Sequence, residues 1–452
     1  MKIIYQRIRS VFNAVLNSKK DMKKLFLILP ILLFSVSQVN AQSVNVEVQK
    51  NGTTHEETIC LPQSMTYDID SLLNEWHSKN SLTPDNDCLM KNENPTFSDS
   101  VYIDRLSRIP AVMELTYNDI VRKFIELYSG KLRKQVSFML GASNFYMPIF
   151  EEALDTYNIP QELKYLPIIE SALNPKATSP VGAAGLWQFM IGTGKLYGLE
   201  TNSIIDERRD PIKSTWAAAR YLRDLYTIYK DWNLVIAAYN CGTGNINKAI
   251  HRANGARDYW AIYNYLPQET RGYVPAFIAA NYVMTYYCDH NICPMEAEIS
   301  QNTDTVQVNK SLHFEQISDI CGINIDQIRS LNPQYKIDVV PGNTEPCTLR
   351  LPRNYINTFI DRQDTIYAYR AEELFSNRPT VSPTVEVVEE KPAVYKSTRH
   401  SKKAKYASHK VRSGQTLSDI ADKYGVTVKQ LKKWNGLRGS SIRAGKKIKI
   451  RK

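Results

Sequence analysis

The chain has 452 residues, more than one compact domain ordinarily holds, so two or three domains are expected. At 43% hydrophobic and 23% charged residues, it is neither wholly disordered nor a polytopic membrane protein. The formal net charge of +11 hides a split: residues 391–452 carry +17 and residues 1–41 carry +6, leaving −12 over residues 42–390. An acidic body with a basic tail suits any polyanion, whether nucleic acid, anionic lipid or cell-wall polymer, and does not choose among them.

At the N-terminus Lys23 and Lys24 precede the apolar run Leu25–Phe34, and Val39-Asn40-Ala41 forms a small-x-small site before Gln42. This pattern predicts a signal peptide over 1–41, with Met22 as an alternative start. The apolar run is well short of the ~20 residues of a spanning helix. The expected location is outside the cytoplasm, in the periplasm or cell envelope and in contact with the wall. No cysteine stands at the cleavage point, so no lipid anchor is expected. Seven cysteines fit an oxidising compartment. Cys288/Cys293 and Cys321/Cys347 are close enough in sequence to pair, Cys60/Cys88 is a further pairing, and Cys241 is expected to stay free. No CxxC or clustered-histidine spacing points to a metal, and no cofactor is expected.

Residues 42–98 are polar and predict a loosely ordered leader. Residues 99–290 predict an all-helical domain: Asn118–Tyr128, Met147–Tyr157, Thr215–Ile228 and Tyr273–Tyr287 repeat apolar residues at three- and four-residue intervals. The last part repeats itself. At a constant offset of 103, Val308, Phe314, Ile317, Gly322, Ile323, Ile325, Ile328, Leu331 and Asn332 match Val411, Leu417, Ile420, Gly425, Val426, Val428, Leu431, Trp434 and Asn435. Two copies of one module follow, over 299–353 and 409–452, each expected to be a small βααβ unit. Between them, 376–408 reads as a basic, extended linker. The fold class is therefore mainly α.

The chemistry concentrates in the helical domain. A helix from about Gln161 to Leu173 is expected to end at Asn174-Pro175, with Glu170 and Ser171 near its end. Leu163, Leu166 and Ile169 put Glu170 beside an apolar edge, where a carboxyl tends to keep its proton. By itself Glu170 reads equally as one solvated carboxylate among 46 acidic residues. Gly185-Leu186-Trp187-Gln188 offers a close backbone approach, an aromatic face and an amide for sugar groups. Ala238-Tyr239-Asn240 ends a helix, and Tyr273 begins another. Each of these alone also reads as core packing or a helix cap.

Together and in this order, over about residues 99–290, they resemble the soluble-lytic-transglycosylase catalytic domain, whose fold is like goose-type lysozyme. The segments Tyr146–Pro148, Glu151–Leu154 and Leu163–Leu166 look like the D-type membrane-bound branch of that family. The two repeats resemble LysM, a module that binds N-acetylglucosamine chains. In the second copy Gly414, Thr416, Leu417, Asn435 and Gly436 match its glycan-binding pattern. In the first, Ser311 and His313 replace the usual Gly and Thr, Cys321 replaces the aromatic, and Pro333 stands opposite Gly436. That copy is expected to act as a spacer braced by a Cys321–Cys347 disulfide.

The resemblance implies one acid/base, Glu170, that cleaves the bond between N-acetylmuramic acid and N-acetylglucosamine. The product is a 1,6-anhydro ring formed without water. Ser171, Tyr239, Asn240 and Tyr273 would orient the acid and the acetamido group, while Gln188 and Gly185–Trp187 would hold saccharide. Asp206, Glu207 and Asp210 are read as braces for the helix at Pro211. Peptidoglycan glycan is the expected partner, nucleic acid is not, and a monomer is expected. A hydrolytic muramidase of the same fold and a non-catalytic wall-binding protein are the alternatives.

Overall fold

The computed structural model describes residues 42–50, 53–67, 93–297, 302–376 and most of 406–451, with short pieces at 69–70, 72, 82–84 and 88. The expected signal peptide over 1–41, nearly all of the expected 376–408 linker and Gly414 lie outside the described residues. The chain divides into two compact units at Val387/Val388. No helix among the described residues is long and apolar enough to cross a membrane.

The helical domain follows the apolar spacing. It contains α1 (Asp99–Arg108), α2 (Asp119–Ser129), α3 (Arg133–Thr156), α4 (Leu166–Ser171), α5 (Ile191–Leu196), α6 (Pro211–Tyr229), α7 (Trp232–Cys241), α8 (Thr243–Arg252) and α9 (Tyr273–Thr285). Helix α9 has no charged side chain and is buried from Tyr273 to Met284, as befits a helix that is apolar all round. It packs on α2, α4 and α7 and forms the axis of the domain. Phe124, Phe150, Trp187 and Phe277 fill the space around it. Side-chain oxygens of Asn118, Asp210 and Asp231 accept backbone N–H groups at the starts of α2, α6 and α7. Asp210 thus braces the helix at Pro211, as its spacing implies. Helix α3 continues through Pro148, which lies on the exposed side one turn beyond exposed Asn144. Pro148 removes the bond to the Asn144 carbonyl, and with both residues exposed the helix tolerates the proline.

The described part of the leader is ordered, not loose. Strands β1 (Ser43–Lys50) and β2 (Thr53–Cys60) pair antiparallel, with Ser43 opposite Cys60 and Lys50 opposite Thr53. Val46 and Ile59 are buried against the helical domain, and the Gln49 N–H donates to Asp119 at 3.0 Å. A following turn places the Ser64 hydroxyl 2.6 Å from the Ile169 carbonyl, so the leader supports α4 from behind. Strand β3 (Leu82–Pro84) pairs with β4 (Met295–Ala297), which brings Cys88 to Cys293.

That disulfide replaces all three pairings expected from the sequence. Cys60, Cys241, Cys288, Cys321 and Cys347 are free. Cys288 is exposed on a 3-10 turn, while Cys293 is held against α3 by a bond from the Ser137 hydroxyl to its carbonyl. Cys60 ends β2 against Gly272.

The first module comprises β5 (Thr303–Val308), β6 (Ser311–His313), α10 (Phe314–Cys321), α11 (Ile325–Leu331), β7 (Val339–Pro341) and β8 (Cys347–Pro352). β5 pairs with β8 and β6 with β7, both antiparallel. It extends past residue 353: α12 (Arg353–Asp361) and α13 (Gln363–Ala368) return to α10 and bury Phe359 and Ile366. It is also not a disulfide-braced spacer. Cys347 lies at the seam with the helical domain, beside Tyr335, Glu345 and Lys213, with its thiol 3.4 Å from the Glu345 carbonyl. Cys321 lies at the end of α10, and the nearest charge acting on it is Arg362 of the connection to α13. The module docks instead. Ile204 and Ile205 of the helical domain are part of its core, and backbone bonds run Asp206 N–H to Gln334 (2.8 Å) and Lys336 N–H to Ile204 (2.8 Å).

The second module has the expected order β9 (Tyr406–Lys410), α14 (Leu417–Tyr424), α15 (Val428–Asn435) and β10 (Lys447–Arg451), with β9 and β10 antiparallel. The repeat is physical as well as textual. Asn435 donates to Leu431 and Lys449 carbonyls at 2.8 Å and accepts from the Lys449 N–H at 2.7 Å. Asn332 makes the same three bonds to Ile328 and Arg350, all at 2.8 Å.

Candidate active site

Four chain segments converge around Glu170. The first is α4. Pro167 sits in its first turn, so 161–165 is a 3-10 turn and the α-helix spans only Leu166–Ser171. It stops two residues before the expected end at Leu173, because Ala172 (φ 52°) and Leu173 (φ 60°) are both left-handed. Two successive non-glycine residues in that region cost energy that the surrounding packing must offset. Their effect is to turn the chain sharply and leave Glu170 at a helix end, half-buried, between fully buried Ile169 and Ser171.

Burial pushes the Glu170 carboxyl up to about 7, and a hydrogen bond from the Tyr273 hydroxyl to Oε1 opposes that rise. Tyr273 is the first residue of α9 and is buried. Tyr239, at the end of α7, also lies within electrostatic reach of the carboxyl. Burial first, and Glu170 second, hold both phenols well above their ordinary value, so they remain neutral donors. No other carboxylate acts on Glu170 among the causes of its shift.

The third segment is the loop from Gly182 to Phe189. Gly185 has φ +85°, and a Cβ there would fall 1.7 Å from the Arg208 carbonyl oxygen, so only glycine fits. Gln188 is left-handed too (φ 46°), and its amide nitrogen donates to Gly185 (2.8 Å) and Ala177 (3.3 Å) carbonyls. The Tyr239 hydroxyl donates to the Trp187 carbonyl at 2.7 Å, joining this loop to the Glu170 corner. The fourth segment is the short helix before α9, where the Thr270 hydroxyl donates to Asn240 Oδ1 at 2.9 Å. Asn240 is exposed. The arrangement is a half-buried carboxyl that holds its proton up to about 7 with two neutral phenols beside it, suited to proton delivery.

Several expected contacts take a different form. Trp187 is fully buried, with Nε1 2.9 Å from the Thr215 hydroxyl and its ring against Phe150, so it offers no stacking face. Leu186 is also fully buried. The buried Ser171 hydroxyl bonds the Pro167 (3.1 Å) and Leu186 (2.9 Å) carbonyls and ties α4 to the loop. In the second module Leu417 is buried and Asn435 spends its amide on the module's own backbone. Thr416 and Gly436 are exposed, Thr416 bonding Asp419 at 2.9 Å and Gly436 capping α15 with φ 63°. In the first module His313 takes the capping role of Thr416 and accepts from the Glu315 N–H at 3.2 Å.

The sequence reading passed over Arg208. Its guanidinium is buried, paired with Asp206 (Nε 2.9 Å, Nη2 2.8 Å), and its Nη1 donates to the carbonyls of Gly182 (2.7 Å) and Phe189 (2.9 Å). It clamps both ends of the loop.

Comparison with known proteins agrees with this geometry. Residues 147–262 match the Transglycosylase SLT domain, 302–368 the LysM-like domain of lytic transglycosylase MltD, and 409–451 the LysM domain. The chain is 32% identical over 300 residues to membrane-bound lytic murein transglycosylase D of Escherichia coli K12, covering 65% of this chain and 60% of that one. It is 34% identical over 124 residues to the soluble lytic murein transglycosylase of the same organism, covering 26% and 19%. The crystal structure of the 70 kDa soluble lytic transglycosylase of Escherichia coli is similar at 28% identity and a TM-score of 0.30, covering 39% of this chain and 30% of that one. The chain thus spans about 60% of the length of the D-type relative. The chain thus carries an SLT-type domain over 147–262, with Glu170, the Gly185–Gln188 loop and Tyr239 inside the matched segment and Tyr273 shortly beyond it, followed by two LysM-type modules, and it is similar along this length to lytic murein transglycosylases.

Proposed function

We propose that the chain is a peptidoglycan lytic transglycosylase that cleaves the bond between N-acetylmuramic acid and N-acetylglucosamine without water. The observation that carries this reading is Glu170: a carboxyl pushed up to about 7, bonded by Tyr273, with no second carboxylate among the described residues acting on it. Two-carboxylate glycosidases need a second group as base or nucleophile, and only substrate-assisted routes dispense with it. Glu170 gives its proton to the glycosidic oxygen as the C1–O bond breaks. The substrate's own acetamido oxygen takes the developing charge at C1. The Glu170 carboxylate, stabilised by the Tyr273 hydroxyl, then removes the proton of the C6 hydroxyl. O6 closes on C1, and the product ends in a 1,6-anhydro ring.

Asn240, exposed and held through its Oδ1 by Thr270, has its amide nitrogen for the acetamido group, and Tyr239 and Tyr273 hold the acid. Gln188 and Gly185 shape the cleft wall through backbone placement. The second module holds the enzyme on wall glycan through Thr416, Gly436 and their neighbours, and its covalent link to the catalytic domain raises the local concentration of that domain at the glycan. The signal-like 1–41 segment and the cell-wall substrate both support an exported, envelope location. The test is digestion of purified peptidoglycan with the native protein and Glu170→Gln, read by mass spectrometry. Native protein should release anhydromuropeptides and the variant none; near-native release by the variant would remove Glu170 from this role.

A further inference from the structure

The clamp on the Gly182–Phe189 loop has its other end in the first module. Asp206, which pairs with Arg208, donates its own N–H to the Gln334 carbonyl at 2.8 Å. On either side, Lys336 N–H reaches Ile204 at 2.8 Å, and Lys336 Nζ reaches the Asn202 carbonyl at 3.0 Å. Ile204 and Ile205, 2% and 6% exposed, are seated in the module's core. The 202–206 segment is therefore held by the module and not by the helical domain alone. From it, Arg208 grips both ends of the loop, and the Arg208 carbonyl lies directly under Gly185. From the loop, the Trp187 carbonyl takes the Tyr239 hydroxyl that stands near Glu170. Every link is a hydrogen bond, an ion pair or a packed side chain.

We propose that the Asp206–Arg208 pair positions the Gly182–Phe189 loop against Glu170, and that the first LysM-type module is the buttress that holds this pair in place. The module is thus part of the catalytic unit, not a tethered sugar-binding domain. This deepens the transglycosylase reading and rests on it. A buried, doubly bonded arginine is fixed in position, and small displacements of catalytic groups are costly, roughly 10²-fold for 1 Å. Loosening the loop would also let water reach Glu170, and its proton affinity would fall back toward that of an ordinary carboxyl. The groups facing Glu170 are Tyr273 of α9 and Tyr239 of α7, with Tyr128 of α2 behind Tyr273. All three stay neutral across the assay range, so the limb near 7 reports Glu170 itself.

The test uses full-length Arg208→Gln, Arg208→Lys, Asp206→Asn and an Ile204→Ala/Ile205→Ala double variant. Leu225→Ala, a buried site near the far end of α6, serves as a control for lost stability. kcat, KM and the pH dependence of kcat/KM are measured on short soluble glycan fragments. In Arg208→Gln and the double variant, kcat should fall roughly tenfold to a hundredfold with a smaller change in KM. The alkaline limb should move at least one pH unit toward acid. Arg208→Lys should fall between, since one ammonium cannot bridge Asp206 and both carbonyls. If Arg208→Gln does not fold, Asp206→Asn and Arg208→Lys carry the same comparison. The control should keep its limb in place. An unmoved limb in every variant, with rates following only the folded fraction, would overturn the proposal. A double variant that behaves like Leu225→Ala would remove the module from it. Should the native chain hydrolyse rather than transglycosylate, the transglycosylase reading fails while the limb still tests positioning. Should it cleave nothing, 13C NMR titration of the Glu170 carboxyl in native and Arg208→Lys protein takes the place of the rates.

Discussion

Replacing Glu170 with glutamine should stabilise the protein at pH 8 and change its stability little at pH 4. The carboxyl is pushed from 4.5 to about 7 in the folded chain because burial disfavours its charged form. Between those two pH values the folded state binds more protons than the unfolded state, so stability falls as pH rises through that window. Above pH 7 the full cost is present. Each tenfold change in proton affinity is worth ~1.4 kcal/mol, so that cost is up to about 3 kcal/mol. Glutamine has nearly the same shape, carries no charge and can still accept the Tyr273 hydroxyl through its carbonyl oxygen. It therefore removes the cost while keeping the bond. Urea unfolding of native and Glu170→Gln protein at pH 4, 6 and 8 measures the difference directly. The variant should gain most at pH 8, with the gain shrinking toward acid, while its activity falls by at least ~10²–10⁴-fold. A variant less stable than native at pH 8, or a difference that does not change with pH, would refute the account of a carboxyl held neutral by burial.

Gly185→Ala should cost ~3 kcal/mol or more and abolish activity, since the added Cβ meets the Arg208 carbonyl at 1.7 Å and φ is +85°; a fully stable, active variant would contradict the loop geometry. Thiol mapping by mass spectrometry should find Cys88 joined to Cys293 and Cys241, Cys321 and Cys347 free. Cys88→Ser should cost ~2–5 kcal/mol, and recovery of a Cys321–Cys347 peptide would contradict the docked placement of Cys347. Deleting 409–452 should lower co-sedimentation with insoluble peptidoglycan while sparing activity on short soluble fragments, and unchanged sedimentation would deny the second module its anchoring role. Activity of the native protein should decline as pH rises through about 7, as the acid loses its proton; a rate that climbs steadily to pH 9 would exclude Glu170 as a general acid.

The helical domain is legible in the sequence because each helix buries one periodic face, and α9 is apolar all round. Glu170, Tyr239 and Tyr273 are legible because their motifs mark helix ends, where side chains meet across a cleft. The leader was equally legible in principle: Val44, Val46 and Val48 alternate with polar residues, and Asn51-Gly52 is a strong hairpin dipeptide. That alternation is short and its outer face polar, which makes it easy to read as unstructured. Trp187 illustrates the opposite error. Residue type suggests a sugar face, but only packing reveals that Thr215 and Phe150 enclose the ring. The grip of Arg208 on the loop has no local signal, because the carbonyls it holds, Gly182 and Phe189, lie 26 and 19 residues away. Ile204 and Ile205 likewise read as any apolar pair until the module they enter is folded beside them.

The central claim is that Glu170 drives ring closure without water, and digestion of purified peptidoglycan in H₂¹⁸O tests it most directly. Transglycosylation predicts muropeptides that end in 1,6-anhydro rings and carry no ¹⁸O at C1. Reducing-end muropeptides labelled with ¹⁸O at C1 would show that water, not the C6 hydroxyl, completes the reaction.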